Sequence, residues 1–295
     1  MILQGYTARN ILHCLAGMPC EDSYAFDSEQ GIGVVADGVT RDSMQWLPDE
    51  RSLWGKLKFA TCYERESKAA MASAVCVDTI GDYLRESPER HQGALWFAFQ
   101  KANLLIHELN CSLGLTSDSV DYLENNYAGC VAAAALVNSG KLHWAYLADC
   151  GVAIVDRTGD LVERTKDEGP SVHDEERWQY PELQGRVWED PFARAFIRKM
   201  FVNTPQQPFS YGTLTGEPTA MSYVRTGTRE LREREQVLIY SDGVADILFK
   251  PDGDIDGAIA SLICTGDWDN LTTLLAHRVK SEETLVRICA SCVHE

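Results

Sequence analysis

Two short, mostly apolar runs in this chain end in the same dipeptide. Gly31-Ile-Gly-Val-Val-Ala36 is followed by Asp37-Gly38, and Gln236-Val-Leu-Ile-Tyr-Ser241 by Asp242-Gly243. Runs this short and this apolar read as strands covered on both faces. Such strands require layers on either side of a sheet. A carboxylate leaving a buried strand stands on a rigid base, and a following glycine leaves the backbone room to turn sharply.

The rest of the pattern agrees with a layered fold. After a short lead, residues 23–27 and 31–36 read as a strand pair around a polar turn ending in Gly31. Two amphipathic helices follow. One carries Ala72, Val75, Cys76, Thr79, Ile80, Tyr83 and Leu84 at helical spacing; the other runs from Leu95 through Ala98, Phe99, Ala102, Leu105, Ile106 and Leu109 to Leu113. Residues 128–138, 141–148, 151–156 and 161–162 read as successive short strands, and the close spacing predicts an antiparallel meander. Residues 165–218 change character, being rich in charge, proline and aromatics with one helix near 191–201, and read as an inserted flap. Strand 236–241, helices within 246–280 and a closing strand at 284–290 complete one domain spanning residues 1–295.

Composition narrows the partners. The 295 residues carry 44 acidic and 27 basic side chains, a formal net charge of −17, which argues against nucleic acid or an anionic membrane as partner. No run approaches the roughly 20 apolar residues that span a bilayer. The start MILQGYTARN has no secretory character. The expected location is therefore cytoplasmic, with the ten cysteines reduced and mostly small core residues. One Cys289/Cys292 pair is too little for a structural zinc site, and the seven histidines show no HxH or HxxxH spacing.

Acidic residues also stand at other strand ends: Glu21-Asp22 before the first strand of the pair, and Asp149 after 141–148. A single Asp-Gly is an ordinary turn. Two of them, each after an apolar strand and accompanied by further acids, indicate carboxylates converging on one place. Converging carboxylates repel unless cations lie between them, and an all-oxygen donor set selects magnesium or manganese over zinc.

The motifs, taken in order, resemble the type 2C (PPM-type) metal-dependent serine/threonine protein phosphatases, bacterial-like members in particular. Glu21-Asp22-Ser-Tyr24 with Val34-Val-Ala-Asp-Gly38 is similar to the opening motif of that family. Ala128-Gly-Cys-Val-Ala-Ala133 resembles its small-residue strand, Tyr146-Leu-Ala-Asp-Cys-Gly151 its Gly-Asp-Ser motif, and Ile239-Tyr-Ser-Asp-Gly-Val-Ala-Asp246 its Ser-Asp-Gly motif. The resemblance implies an α+β fold, a four-layer α/β/β/α sandwich of two mostly antiparallel sheets flanked by helices. It further implies two or three Mn2+ or Mg2+ ions. Asp37 would bridge two of them, the Gly38 carbonyl and Asp242 would each bind one, Glu21 and Asp22 would act nearby, and Asp149 would serve a third. The implied reaction is hydrolysis of phosphoserine or phosphothreonine in a phosphoprotein by attack of a metal-bridging hydroxide.

The chain departs from the family at three places. The closing Asp-Asn-x-Thr motif is replaced by Ser281-Glu-Glu-Thr284, which puts Ser281 at the position of the metal-binding aspartate and Glu282 beside it. Asp269-Asn-Leu-Thr272 matches that motif literally. It follows Asp242 by only 27 positions, too few for two helices of about 11 residues each with their connections, and Asp269 reads well as a helix N-cap. Glu282 is therefore the preferred ligand. The arginine that often grips phosphate is replaced by Gly17, leaving Arg41 as the candidate for that contact, and Val39 stands where a histidine often follows Asp-Gly. Loss of the last aspartate leaves open a catalytically weak or silent protein that binds a phosphoprotein or regulator. A phosphatase of small molecules is a further alternative.

Overall fold

A computed structural model describes residues 1–9, 14, 17, 19–39, 54, 66–187, 190–250, 253–278 and 282–289. Among the described residues, ten strands form two five-stranded sheets. They are β1 Ile2–Arg9, β2 Ser23–Asp27, β3 Ile32–Gly38, β4 Cys130–Asn138, β5 Lys141–Leu147, β6 Gly151–Val155, β7 Leu161–Arg164, β8 Arg225–Glu230, β9 Gln236–Tyr240 and β10 Glu282–Cys289. One sheet has the order β1-β10-β9-β6-β7 and the other β2-β3-β4-β5-β8, and every strand pairing is antiparallel. Helices α1 Lys68–Glu86 and α2 Gln92–Ser112 pack on the second sheet; α4 Asp242–Leu248, α5 Gly257–Thr265 and α6 Trp268–Arg278 pack on the first. The four-layer α+β sandwich expected from the sequence is the observed architecture.

Strand β9 shows why the layers form. Val237 and Ile239 belong to the core between the two sheets, whereas Leu238 and Tyr240 join Ile259, Ile263, Leu271 and Leu275 in the core under α4–α6. A period of two with both faces apolar leaves no face for water, so each face takes its own cover. Helix α1 supplies cover by small residues. Its buried stripe includes Ala69, Ala72, Ser73, Cys76 and Ile80, which lets its backbone approach β3 closely.

Two expectations are corrected here. Residues 128–162 are not a meander in one sheet, because β5 pairs with β8 and β6 pairs with β9, so the chain crosses between sheets at 148–150. Ala148 takes a left-handed φ of 61° at that crossing. The short N-terminal lead is itself a strand, β1, paired along its length with β10. Its alternation is interrupted by Gly5, against which the Tyr24 ring packs, and that break hides it from a pattern search.

The 165–224 segment joins the edge strands β7 and β8. It contains a single helical turn Asp174–Arg177 and helix α3 Pro191–Phe201. It has a small core of its own, Leu183, Ala193, Ile197, Phe201 and Tyr211, despite the absence of a sustained hydrophobic period. The Arg177 side chain is fully buried at its centre. Its Nε and Nη2 donate to the Phe209 carbonyl at 2.9 and 2.7 Å, Nη1 donates to the Pro170 carbonyl, and the guanidinium lies over the Tyr211 ring. A charge sits there because each guanidinium nitrogen finds an oxygen, Nη1 also reaching the Asp174 carboxylate at 3.2 Å.

Candidate metal centre

The sequence-predicted acids meet at one edge of the sandwich. Glu21 and Asp22 lie where the chain passes from β1 in one sheet to β2 in the other. Asp149 lies at the second crossing, between β5 and β6. Asp37 ends β3, Asp242 follows β9, and Glu282 begins β10. Strand register brings these ends together: Gly151 faces Tyr240, Tyr240 faces Leu285, and the Ser241 N–H donates to the Thr284 carbonyl at 3.1 Å.

Hydrogen bonds fix the inner acids. The Ser241 hydroxyl donates to Asp22 Oδ2 at 2.8 Å while accepting the Thr284 N–H at 3.0 Å. Ser67, the N-cap of α1, accepts the Ala70 N–H at 3.3 Å and donates its own hydroxyl proton to Glu21 Oε1. The Glu21 carbonyl accepts the Gly38 N–H at 3.2 Å. Glu282 Oε2 accepts the backbone N–H of Glu21 at 2.6 Å and of Asp22 at 3.2 Å. Glu282, preferred from sequence as a ligand, thus sits in the cluster and has one carboxylate oxygen committed to the backbone that carries the other acids.

Both Asp-Gly glycines are required, but for a reason other than a turn. Neither Gly38 nor Gly243 takes a positive φ. A Cβ on Gly38 would stand 2.6 Å from the Ala69 carbonyl, and one on Gly243 would collide with the Glu282 carbonyl. Close approach of a neighbouring backbone leaves no space for a side chain. Asp242 also does not begin a loop; it is the first residue of α4, whose N-terminal dipole favours a carboxylate.

Asp37 and Asp149 are half-buried and Asp242 is exposed; Asp149 and Asp242 line a cleft, and protein crowds all three. Crowding and mutual repulsion push their pKa values up. Asp22 rises to about 7, first through burial and then through Glu282 and Asp242. Asp149 rises to about 8 through burial, Asp242 and Asp167. Asp37 rises well above the usual carboxylate range through burial and the charges of Asp22, Asp242 and Asp149. Asp242 rises as well, mainly through burial, although its hydrogen bond with Asp37 opposes the shift. The hydrogen bond between the two carboxyl groups raises Asp37 and lowers Asp242, as expected where two acids lie side by side.

Among the described residues no three His, Cys, Asp or Glu side chains form a group arranged to hold a metal ion. The donor chemistry nonetheless fits a hard cation. Asp149 Oδ1 is buried with no hydrogen-bond partner, and Asp37 lies among the charges of Asp22, Asp242 and Asp149. The Cys130 and Cys150 thiols behind Asp37 are buried and pushed up well above the usual thiol range, so they stay protonated and the available donors are oxygens.

A cleft of about 660 Å3 opens beside Asp149 and Asp242, with Arg164, Lys166, Asp167, Asp246 and Lys250 in its lining. Asp246 and Asp167 add to the charge that raises Asp242. Asp246 belongs to the Ser-Asp-Gly-like motif, and its position four residues after Asp242 puts both on one helical face. Asp167, Ser67 and the cationic lining carry no sequence signal, and Ser241 reads in sequence only as the end of a strand. Asp269 is excluded from the cluster's hydrogen-bonded network: it is exposed on α6, and its carbonyl accepts the Thr273 hydroxyl at 2.7 Å. The helix start is held by Asp267, not Asp269, through the Asn270 N–H at 3.2 Å. Arg41, Ser281 and Cys292 lie outside the described residues.

Compared by sequence, the chain matches no protein-family model and none of the curated proteins. Compared by structure, it is similar to the catalytic domain of the serine/threonine phosphatase PstP in complex with two manganese ions. That match has 16% identity and a TM-score of 0.60, and covers 98% of each chain. PppA, a regulatory component of T6SS in Pseudomonas aeruginosa, is 15% identical with a TM-score of 0.57 over 98% of this chain and 99% of that one. RsbX in complex with magnesium is 14% identical with a TM-score of 0.51, covering 98% and 94%. Over nearly its whole length the chain therefore has the fold of the bacterial PPM-type serine/threonine phosphatases.

Proposed function

We propose that this chain, built on the fold of the bacterial PPM-type phosphatases, is a divalent-metal-dependent phosphatase acting on phosphoserine and phosphothreonine in proteins. The observation that carries the reading is the convergence of Asp22, Asp37, Asp149 and Asp242 from both sheets, with a buried Asp149 oxygen lacking any hydrogen-bond partner. The manganese and magnesium named for PstP and RsbX support the same donor chemistry.

In this reading Asp37, the Gly38 carbonyl and Asp242 would hold two Mn2+ or Mg2+ ions and Asp149 would serve a third, with Glu21, Asp22 and Glu282 acting nearby. When bound, such ions supply the positive charge that makes water nucleophilic near neutral pH and balances the phosphoryl oxygens. The chain's own residues do the positioning. Ser241 orients Asp22, Ser67 orients Glu21, and Glu282 ties both backbone amides to β10. Arg164, Lys166 and Lys250 in the open cleft supply cationic groups for an anionic substrate, beside or in place of Arg41. The described cysteines are free thiols, which suits a reducing cytoplasm.

A second reading is favoured by one observation. Ser281 stands where the family has a ligating aspartate, and Glu282 spends an oxygen on two backbone amides. In that reading the chain binds a phosphoprotein without turning it over. Hydrolysis of p-nitrophenyl phosphate and of a phosphothreonine peptide, with manganese added, separates the two. Turnover clearly above an Asp37→Ala/Asp242→Ala control is expected. Turnover equal to that control, with phosphopeptide binding retained, would leave the second reading standing alone.

A further inference from the structure

We propose that the end of the open cleft at Arg164 and Lys250 is a subsite for a second anionic group of the substrate, about two to four residues from the phosphorylated one. The inference rests on the phosphatase reading and extends it to the substrate.

Two stretches of chain line the cleft, and both run from acid to cation. In the first, Asp242 opens helix α4, Asp246 lies one turn on, and Phe249 and Lys250 follow the helix. At about 1.5 Å per residue, Phe249 stands about 10 Å along the axis from Asp242. In the second, Gly151 faces Tyr240 beside the cluster, whereas Ala153 faces Arg164 at the end of β7. Arg164 is thus level with a residue four positions beyond Asp149, on the order of 10 Å away. Lys166 comes between, and Asp167 belongs to the acid end, where it adds to the charge on Asp149 and Asp242. The two stretches meet at the cation end, with the Arg164 guanidinium over the Phe249 ring at 4.7 Å.

Among the described residues, Arg164, Lys166 and Lys250 form no ion pair with a carboxylate, although Asp149, Asp167, Asp242 and Asp246 line the same cleft. The glutamates beside them in sequence are engaged elsewhere: Glu163 meets Arg229 at 3.3 Å and Glu168 meets Arg225 at 2.8 Å. A guanidinium held on an aromatic ring keeps its edge for a carboxylate or a phosphate, which it can grip with two parallel N–H groups. A lysine entering the same end would meet cations instead. The cleft, at about 660 Å3, has room for a stretch of peptide and not just one side chain. An extended peptide advances about 3.3 Å per residue, so a phosphorylated residue at the acids puts residues about two to four positions away beside Arg164. The net charge of −17 repels acidic peptides over the surface as a whole, so a preference for them has to come from this local contact.

The test measures kcat/KM, with manganese, for loss of phosphate from threonine in peptides carrying Glu, phosphoserine, Gln or Lys at successive positions on either side. Each variant is normalised to its own turnover of p-nitrophenyl phosphate. About two to four residues from the phosphothreonine, Glu or phosphoserine is expected to exceed Lys by about tenfold, and the better of the two tells whether a carboxylate or a second phosphate is preferred. Arg164→Met and Lys250→Met should each shrink that ratio, and Arg164→Glu should turn it toward Lys, with thermal unfolding confirming that the variants fold. Equal kcat/KM for all peptides, a preference confined to the residues directly beside the phosphothreonine, or a normalised ratio that survives the substitutions would overturn the subsite while leaving a phosphatase. If nothing is turned over, the phosphatase reading fails. Fluorescence anisotropy of the same peptides then decides the subsite: tighter binding of the acidic peptides, lost in Arg164→Met, supports it, and equal binding overturns it.

Discussion

The Glu282 carboxylate accepts the backbone N–H of Glu21 at 2.6 Å across 261 positions of sequence. It thereby couples the start of the last strand to the segment that delivers Asp22. Charge-assisted bonds to main-chain amides are among the stronger ones, contributing about 1.5–3 kcal/mol each. Glu282→Ala should therefore lower urea stability by roughly 2 kcal/mol or more and weaken manganese activation. Asp269→Ala, on an exposed helical face, should change both little. Equal effects of the two substitutions would show that the wrong acid was chosen.

Gly243 packs against the Glu282 carbonyl with no room for a methyl group. Gly243→Ala would ordinarily strengthen a helix by up to about 1 kcal/mol. Here the collision should dominate, as overpacking costs about 1–3 kcal/mol, and displace α4 from β10. Chemical unfolding together with manganese titration would register both consequences.

The acid cluster sets a pH dependence for the protein freed of metal by chelation. Asp22 and Asp149 have folded pKa values of about 7 and about 8, above the ordinary 3.8. A raised folded pKa gives a contribution fully present below the ordinary value and lost as pH rises through the folded one. The Tm in EDTA should thus be higher near about pH 5.5 than near about pH 8. Manganese should raise it most at the higher pH, where it replaces protons between carboxylates. An Asp22→Asn/Asp149→Asn variant should flatten the EDTA profile; an unchanged slope would count against the cluster as its source.

Asn110 on α2 secures the 165–224 segment from below. Its Nδ2 donates to the Ala128 and Thr215 carbonyls at 2.8 and 2.9 Å, and its Oδ1 accepts the Ala128 N–H at 2.8 Å. The side chain is buried, so Asn110→Ala leaves three main-chain groups without partners and should cost roughly 2–3 kcal/mol. Limited proteolysis should then cut within 165–224 sooner than in the parent protein, with the sandwich surviving as a larger fragment.

Much of this was legible from periodicity and punctuation. The apolar runs gave the buried strands, and α1 and α2 followed from their 3.6-residue stripe, because local spacing alone decides which side of an element avoids water. The acids were legible because each stands beside a strand boundary, and Asp37, Asp149 and Asp242 rise in pKa together as converging charges should.

What sequence could not supply was sheet membership. Strands β5 and β6 are separated by three residues and belong to different sheets, because their partners, β8 and β9, lie far along the chain. That crossing is what delivers Asp149 to the cluster. The glycines were found for the wrong reason, since a turn is a local property whereas the approach of Ala69 and Glu282 is not. The Arg164 and Lys250 end of the cleft had no signature, being assembled from segments more than eighty positions apart. The sequence by itself determined the layers and the acidic corner, because burial and strand ends are written in local spacing. Only the tertiary structure decided which acids crowd one another, which one anchors the backbone and what lines the pocket beside them, because those depend on distances between segments that no local pattern encodes.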